Sequence, residues 1–202
     1  NNRLLVFKEL CHDCGGCILL CPGKALTEQG RVIGKVEYGI SGRVKTRTGI
    51  LNTGEAVGIP IIKKLSENIS KDDTYIIDSP PGSSCAVIES IKDCGYCILV
   101  TEPTLFGVHN LAMVYELVKL FDKPHGVIIN KYIEEETVAD DYCSQNNIPV
   151  ISRIPYDARI GSMNSQGRIA AAEDDKYLAV FEKILQRVQE EVQHEAVAHI
   201  ER

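Results

Sequence analysis

Residues 11–22 read CHDCGGCILLCP, four cysteines within eleven residues followed by a proline. No other stretch constrains the chain as strongly, because thiols at this density in one short loop are suited to converge on a common centre. The spacing C-x2-C-x2-C-x3-C-P is that of a run whose thiolates meet iron from a tight loop. A structural zinc site usually draws two ligands from each of two separated loops, whereas cysteines at intervals of three suit a cubane that offers several irons. Gly15 and Gly16 permit the turns such a loop needs and let amide N–H groups approach sulfur. The spacing points to a 4Fe–4S cluster with Cys11, Cys14, Cys17 and Cys21 as ligands.

In two-cluster ferredoxins of this pattern, the first three cysteines of a run hold one cluster and the fourth holds the other. On that rule Cys11, Cys14 and Cys17 need a further thiolate and Cys21 needs three, and no second run occurs in the 202 residues. A single cluster held by all four cysteines remains the alternative. Cys94 and Cys97 form CGYC, which superficially resembles a redox or metal pair, but Cys97 opens the apolar run CILV and is expected to point into a sheet. Cys143 is expected to be a buried helix residue, and Cys85 follows a glycine-containing loop with no role assigned.

From about residue 56 onward, short runs rich in β-branched residues alternate with longer amphipathic ones. TYIID (74–78), YCILVTEP (96–103), HGVIIN (125–130) and PVISRIP (149–155) are expected as strands. Near-continuous apolar strands separated by helices imply a parallel sheet covered on both faces. Leu111, Val114, Val118 and Phe121 form one helical stripe between strands, and Tyr177, Phe181, Ile184, Leu185 and Val188 form another near the end. Upstream, residues 36–51 suggest a hairpin with Gly39 and Gly42 as turn candidates, and residues 55–69 suggest a helix limited backwards by Pro60.

The balance of 28 acidic against 22 basic residues, net −6 without a dense Lys/Arg stripe, argues against a nucleic-acid face. GRVKTRTG at 42–49 is read as a solvated hairpin face. No apolar stretch approaches the ~20 residues needed to cross a bilayer, and NNRLLVFKEL lacks the features of a signal peptide. The expectation is a cytoplasmic protein without a membrane span, whose cysteines serve as ligands, redox groups or small buried hydrophobes rather than disulfides.

Ligands on parallel sheets bind beyond the carboxyl ends of the strands. The expected first strand ends in Asp78 and runs into DSPPGSS, where a carboxylate suits a magnesium-bound water and the Gly82 amide suits a terminal phosphate. The third ends in Asn130-Lys131, where the Asn130 amide carries both donor and acceptor and suits a purine edge.

Together these segments resemble the MinD/ParA/Mrp group of P-loop ATPases, in particular the branch with a ferredoxin-like insertion. YIIDSPPGSSC resembles its switch II strand and loop, ILVTEPTLFGVHNL its next strand and helix, GVIIN its base-contacting strand, and IPVISRIPYD the strand whose following loop lies near the base. The resemblance implies an α/β, parallel-sheet P-loop NTPase-like fold that binds ATP with magnesium. It gives Asp78 the acidic role near metal and attacking water, Gly82 the γ-phosphate contact, and Asn130 and Pro155 places near the base. It also implies a homodimer and a redox or iron–sulfur partner. The implied organisation is a partial iron–sulfur module at 1–35, a hairpin and return segment at 36–55, the C-terminal part of a MinD-like ATPase domain at 56–190, and a tail at 191–202.

One departure matters for mechanism: no G-x-x-x-x-G-K-S/T and no deviant KGGxGKT occurs in the sequence. That loop supplies most of the charge stabilisation in phosphoryl transfer. A preceding segment carrying both it and the other cysteine run would remove both deficits, so the chain is expected to be the trailing part of a longer one that does not hydrolyse ATP alone. Two other classes remain: a ferredoxin-type electron-transfer module on a degenerate ATPase scaffold, and a zinc-stabilised regulatory protein.

Overall fold

A computed structural model describes residues 5–7, 11, 14–55, 57–70 and 73–200, with side chains through Gln193. The chain divides into two compact units, residues 1–79 and 80–202, so residues 56–79 group with the N-terminal unit.

The N-terminal unit is organised around an antiparallel hairpin of β1 (Gly34–Ser41) and β2 (Val44–Leu51), preceded by a single helical turn, α1 (Gly16–Leu19). Ser41 faces Val44 across a two-residue turn, and Gly42 at its first position has φ +56, a conformation glycine adopts without steric cost. Gly39 is not a turn residue: it lies within β1, where an added Cβ would stand 2.6 Å from Thr46 Oγ1. Helix α2 (Ile59–Ser66) packs on the hairpin with Pro60 in its first turn, where no N–H is needed. Gly34 and Gly49 make that packing close, since a Cβ at either would lie 2.5 or 2.4 Å from Ile61 side-chain atoms. Arg47 donates to the carbonyls of Leu65 at 3.0 Å and Glu67 at 2.6 Å, satisfying groups that the end of α2 leaves unpaired.

Residues 74–78 do not form the expected strand. Tyr75, Ile76 and Ile77 are exposed, Ile76 by 87%, and the segment belongs to neither sheet. The physical reason is that β-propensity produces a strand only where a neighbour completes the ladder, and among the described residues none does.

The C-terminal unit runs α3 (Cys85–Ile91), β3 (Cys97–Thr101), α4 (Leu105–Leu120), β4 (His125–Tyr132), α5 (Val138–Gln145), β5 (Val150–Pro155), α6 (Ala158–Ser165), α7 (Ala170–Glu173) and α8 (Asp175–Ile200). The three strands are parallel in the order β3-β4-β5, as the apolar runs predict. Val127 and Ile129 of β4 and Leu99 of β3 enter a core completed by Val87, Leu111, Val118, Ala139 and Cys143. The stripe on α4 buries Leu111 and Val118, while Phe121 caps its end, partly exposed. On α8 only Tyr177 and Ile184 of the expected stripe are buried. Coverage of β3 is one-sided: Cys97, Leu99 and Thr101 are buried, whereas Ile98 is 42% and Val100 63% exposed. Among the described residues no helix is long and apolar enough to cross a membrane.

Candidate functional site

The carboxyl ends of β3, β4 and β5 carry Thr101–Glu102, Lys131–Tyr132 and Pro155–Tyr156, and a cavity of about 570 Å³ opens there. Leu105 and Phe106, the first residues of α4, line one wall, with Ile133 and Tyr156 as further apolar lining. Its charged groups are Glu102, Lys131 and Glu136. The loop before α4 is held firmly. Thr104 caps the helix by accepting from the Gly107 N–H at 2.9 Å, and its own N–H donates to the Glu102 carbonyl at 2.8 Å. Gly107 permits this approach, because a Cβ there would be 2.4 Å from that carbonyl.

Lys131 is the unusual residue of the site. Its φ is +53, and it sits where the β4–β5 register shifts between Asn130 and Tyr132. Asn68, Asp122 and Asn147, also at positive φ, directly follow helix C-caps, where the left-handed conformation terminates a helix, and Lys24 sits in a turn. Among the described non-glycine residues at positive φ, Lys131 alone lies inside a strand. Its ammonium meets Glu102 Oε1 at 2.6 Å, and the hydrogen bond to Glu102 raises its pKa. Both side chains are about half exposed, and exposed pairs are weak. The ion pair therefore does not by itself account for holding a lysine in a disfavoured conformation.

Next to Tyr156 in the chain, Asp157 fixes the segment after β5. It accepts from the Arg159 N–H at 2.9 Å at the start of α6, from Tyr177 Oη of α8 at 2.7 Å and from Lys176 Nζ at 3.3 Å. The Tyr177 hydroxyl, then the Arg159 amide, hold its carboxyl down to about 2.

Of the site residues expected from sequence, Asn130 is half-buried opposite Ile154 and Pro155 ends β5 opposite Tyr132. The cavity is lined not by these two but by the residue following each, Lys131 and Tyr156. Asp78 is exposed at the end of the N-terminal unit, whereas Gly82 belongs to the C-terminal one. Gly82 has φ +86 in open space, so backbone conformation alone accounts for a glycine there. Phe106, Lys131 and Tyr156 are not among the expected site residues, although all three stand at or just after expected strand ends.

Cys11, Cys14 and Cys17 are exposed and Cys21 is partly exposed. Gly15 turns the chain into α1 at φ +69, and a Cβ on Gly16 would lie 3.5 Å from Cys14 Sγ. Among the described residues, no three His, Cys, Asp or Glu side chains are grouped to hold a metal ion. CGYC is packing rather than a reactive pair: Cys94 Sγ donates to the Ser90 carbonyl at 3.3 Å, and burial pushes Cys97 up to about 11. Cys143 is buried in α5 as expected, and Cys85 is exposed at the start of α3.

No protein-family model matches the chain. A curated protein of Methanocaldococcus jannaschii is 25% identical over 162 residues, covering 79% of this chain and 55% of the relative. A second from the same organism is 29% identical over 85 residues, covering 41% of this chain and 31% of that one. The chain thus spans about half the length, or less, of the curated relatives it matches. Among solved structures, the MinD cell division protein of Aquifex aeolicus superposes with a TM-score of 0.52 and 22% identity, covering 65% of this chain and 59% of MinD. The fold is MinD-like.

Proposed function

We propose that the chain belongs to an iron–sulfur, nucleotide-binding protein in which the state of a bound nucleotide is coupled to cluster redox state or cluster handling. The observation that carries this reading is the conjunction of a four-thiol run at ferredoxin spacing with a MinD-like fold that opens a cavity at the carboxyl ends of its parallel strands. The thiol run suits a 4Fe–4S cluster in donor type and in its glycine turn: three exposed cysteines and one partly exposed, with Gly15 left-handed between the second and third. On the single-cluster alternative Cys11, Cys14, Cys17 and Cys21 would together hold the cluster, which when bound stores and releases an electron.

For the nucleotide, the resemblance assigns Asn130 and Pro155 to the base, Gly82 to a phosphate and Asp78 to a magnesium-bound water. The proposal for these 202 residues is binding, not turnover, because they contain no Walker-type lysine loop to stabilise transferred charge. A homodimer, a redox or iron–sulfur partner protein and a cytoplasmic setting belong to the same reading. The test is the midpoint potential of the anaerobically reconstituted chain with and without magnesium-ATP. A shift in potential is expected; nucleotide binding with an unmoved potential would reduce the protein to two independent functions, and no nucleotide binding would favour the electron-transfer reading.

A further inference from the structure

We propose that the turn end of the β1–β2 hairpin is the docking surface for an acidic electron-transfer protein that exchanges an electron with the cluster. The inference rests on the iron–sulfur reading above and names the chemistry of the redox partner and the residues that receive it. Helix α2 packs on one face of the hairpin, over Gly34 and Gly49, and ends at Arg47, which donates to its last carbonyls. On that same face, toward the turn, stand two cross-strand pairs, Tyr38 opposite Arg47 and Ile40 opposite Lys45, and the turn adds Arg43. Tyr38 is 68% and Ile40 78% exposed, and β2 buries no residue at all.

Charge decides what such a patch accepts. Between Arg31 and Lys64 the only acids are Glu37 and Glu55, and both are already held, by Lys35 and Arg31. Arg43, Lys45 and Arg47 have no carboxylate partner among the described residues, although the chain as a whole carries an excess of acid. A face that serves only solvation mixes both signs. One sign around exposed apolar groups instead steers an oppositely charged protein and then seats it. The patch is a handful of residues, well short of the ~20–30 a side of a stable interface, which suits the small, transient contacts of electron-transfer pairs. Three cations also neutralise too few phosphates for nucleic acid, whose binding relies on releasing many counterions. The hairpin belongs to the same compact unit, residues 1–79, as Cys14, Cys17 and Cys21, so a partner seated there docks on the cluster-bearing part of the chain.

The test titrates the metal-free 202-residue chain with oxidised flavodoxin, an acidic electron-transfer protein, and reads binding from the backbone NMR resonances of residues 38–47. Stopped-flow then follows reduction of the reconstituted chain by reduced flavodoxin, in which the flavin loses one electron and the cluster gains it. Shifts concentrated in those resonances are expected, with a rate constant that falls about tenfold as ionic strength rises from about 0.01 to 1 M and the Debye length shortens from about 30 to 3 Å. Arg43→Glu with Lys45→Glu should lower affinity and rate about tenfold at low salt, while reduction by dithionite stays within about twofold. Lys183→Glu with Arg187→Glu, the same change of net charge on exposed positions of α8, should leave both unchanged. Equal losses in the two double variants, or flavodoxin failing to shift the hairpin of a chain that binds its cluster, would overturn the inference and leave the iron–sulfur reading standing. Hairpin resonances that answer to anionic lipid vesicles or to DNA but not to flavodoxin would overturn it likewise. A chain that takes up no iron would overturn both.

Discussion

At the scale of single residues, the eight cysteines differ by environment, and their reactivity should follow. Burial pushes Cys97 and Cys143 up to about 11, so their thiols stay protonated at pH 8, where the exposed Cys11, Cys14, Cys17 and Cys85 of metal-free protein are open to reagent. Iodoacetamide at pH 8 followed by peptide mass mapping should label those four under native conditions and Cys97 and Cys143 only after denaturation. Native labelling of Cys97 would contradict its assignment to the core. Asp157 gives a second residue-scale prediction. Its carboxyl is held at about 2 by Tyr177 and the Arg159 amide, against about 3.9 for an unfolded aspartate. A depressed folded value stabilises the protein above the unfolded value, and that contribution disappears as pH falls from about 4 to about 2. Thermal melts across this range should show acid destabilisation that Tyr177→Phe reduces. An equally steep acid dependence in Tyr177→Phe would mean that the Tyr177–Asp157 bond is not its source.

At the scale of elements, the hairpin and α2 are matched through missing side chains. A Cβ at Gly49 would stand 2.4 Å from Ile61 Cγ2, so Gly49→Ala should overpack the contact and cost about 1–3 kcal/mol in denaturant unfolding. Adding Ile61→Ala should recover part of that loss; a purely additive double variant would place the strain elsewhere. In the other unit, among the described residues, β3 pairs only with β4 and exposes Val100, the features of an edge open to self-association. Val100→Lys should lower light scattering by concentrated protein without changing its circular dichroism.

The same elements explain what sequence patterns could reveal. The strands at 97–101, 125–132 and 150–155 were legible because their apolar runs are encoded locally and each finds its neighbours in the sheet. Residues 74–78 carry an equally good run, but a strand depends on a partner that local sequence does not specify. Short α6 and α7 bury no side chain and so had no apolar stripe to betray them. Gly42 announces its positive φ by being glycine, whereas nothing in NKY announces that the lysine is left-handed. Sequence therefore located the strand ends but not the residues that line the cavity beyond them.

At the scale of the whole molecule, a chain of MinD-like fold carries a run of four cysteines near its start and spans only about half the length of a curated relative. The central claim, on the single-cluster alternative, is that the thiol run of this chain by itself holds iron and sulfide. Its most direct test is to reconstitute the purified chain anaerobically, measure iron and acid-labile sulfide, and follow its visible absorption on adding dithionite. The account predicts both elements bound and a broad visible absorption that bleaches on reduction. Zinc bound in their place, or a colourless protein without iron, would contradict it.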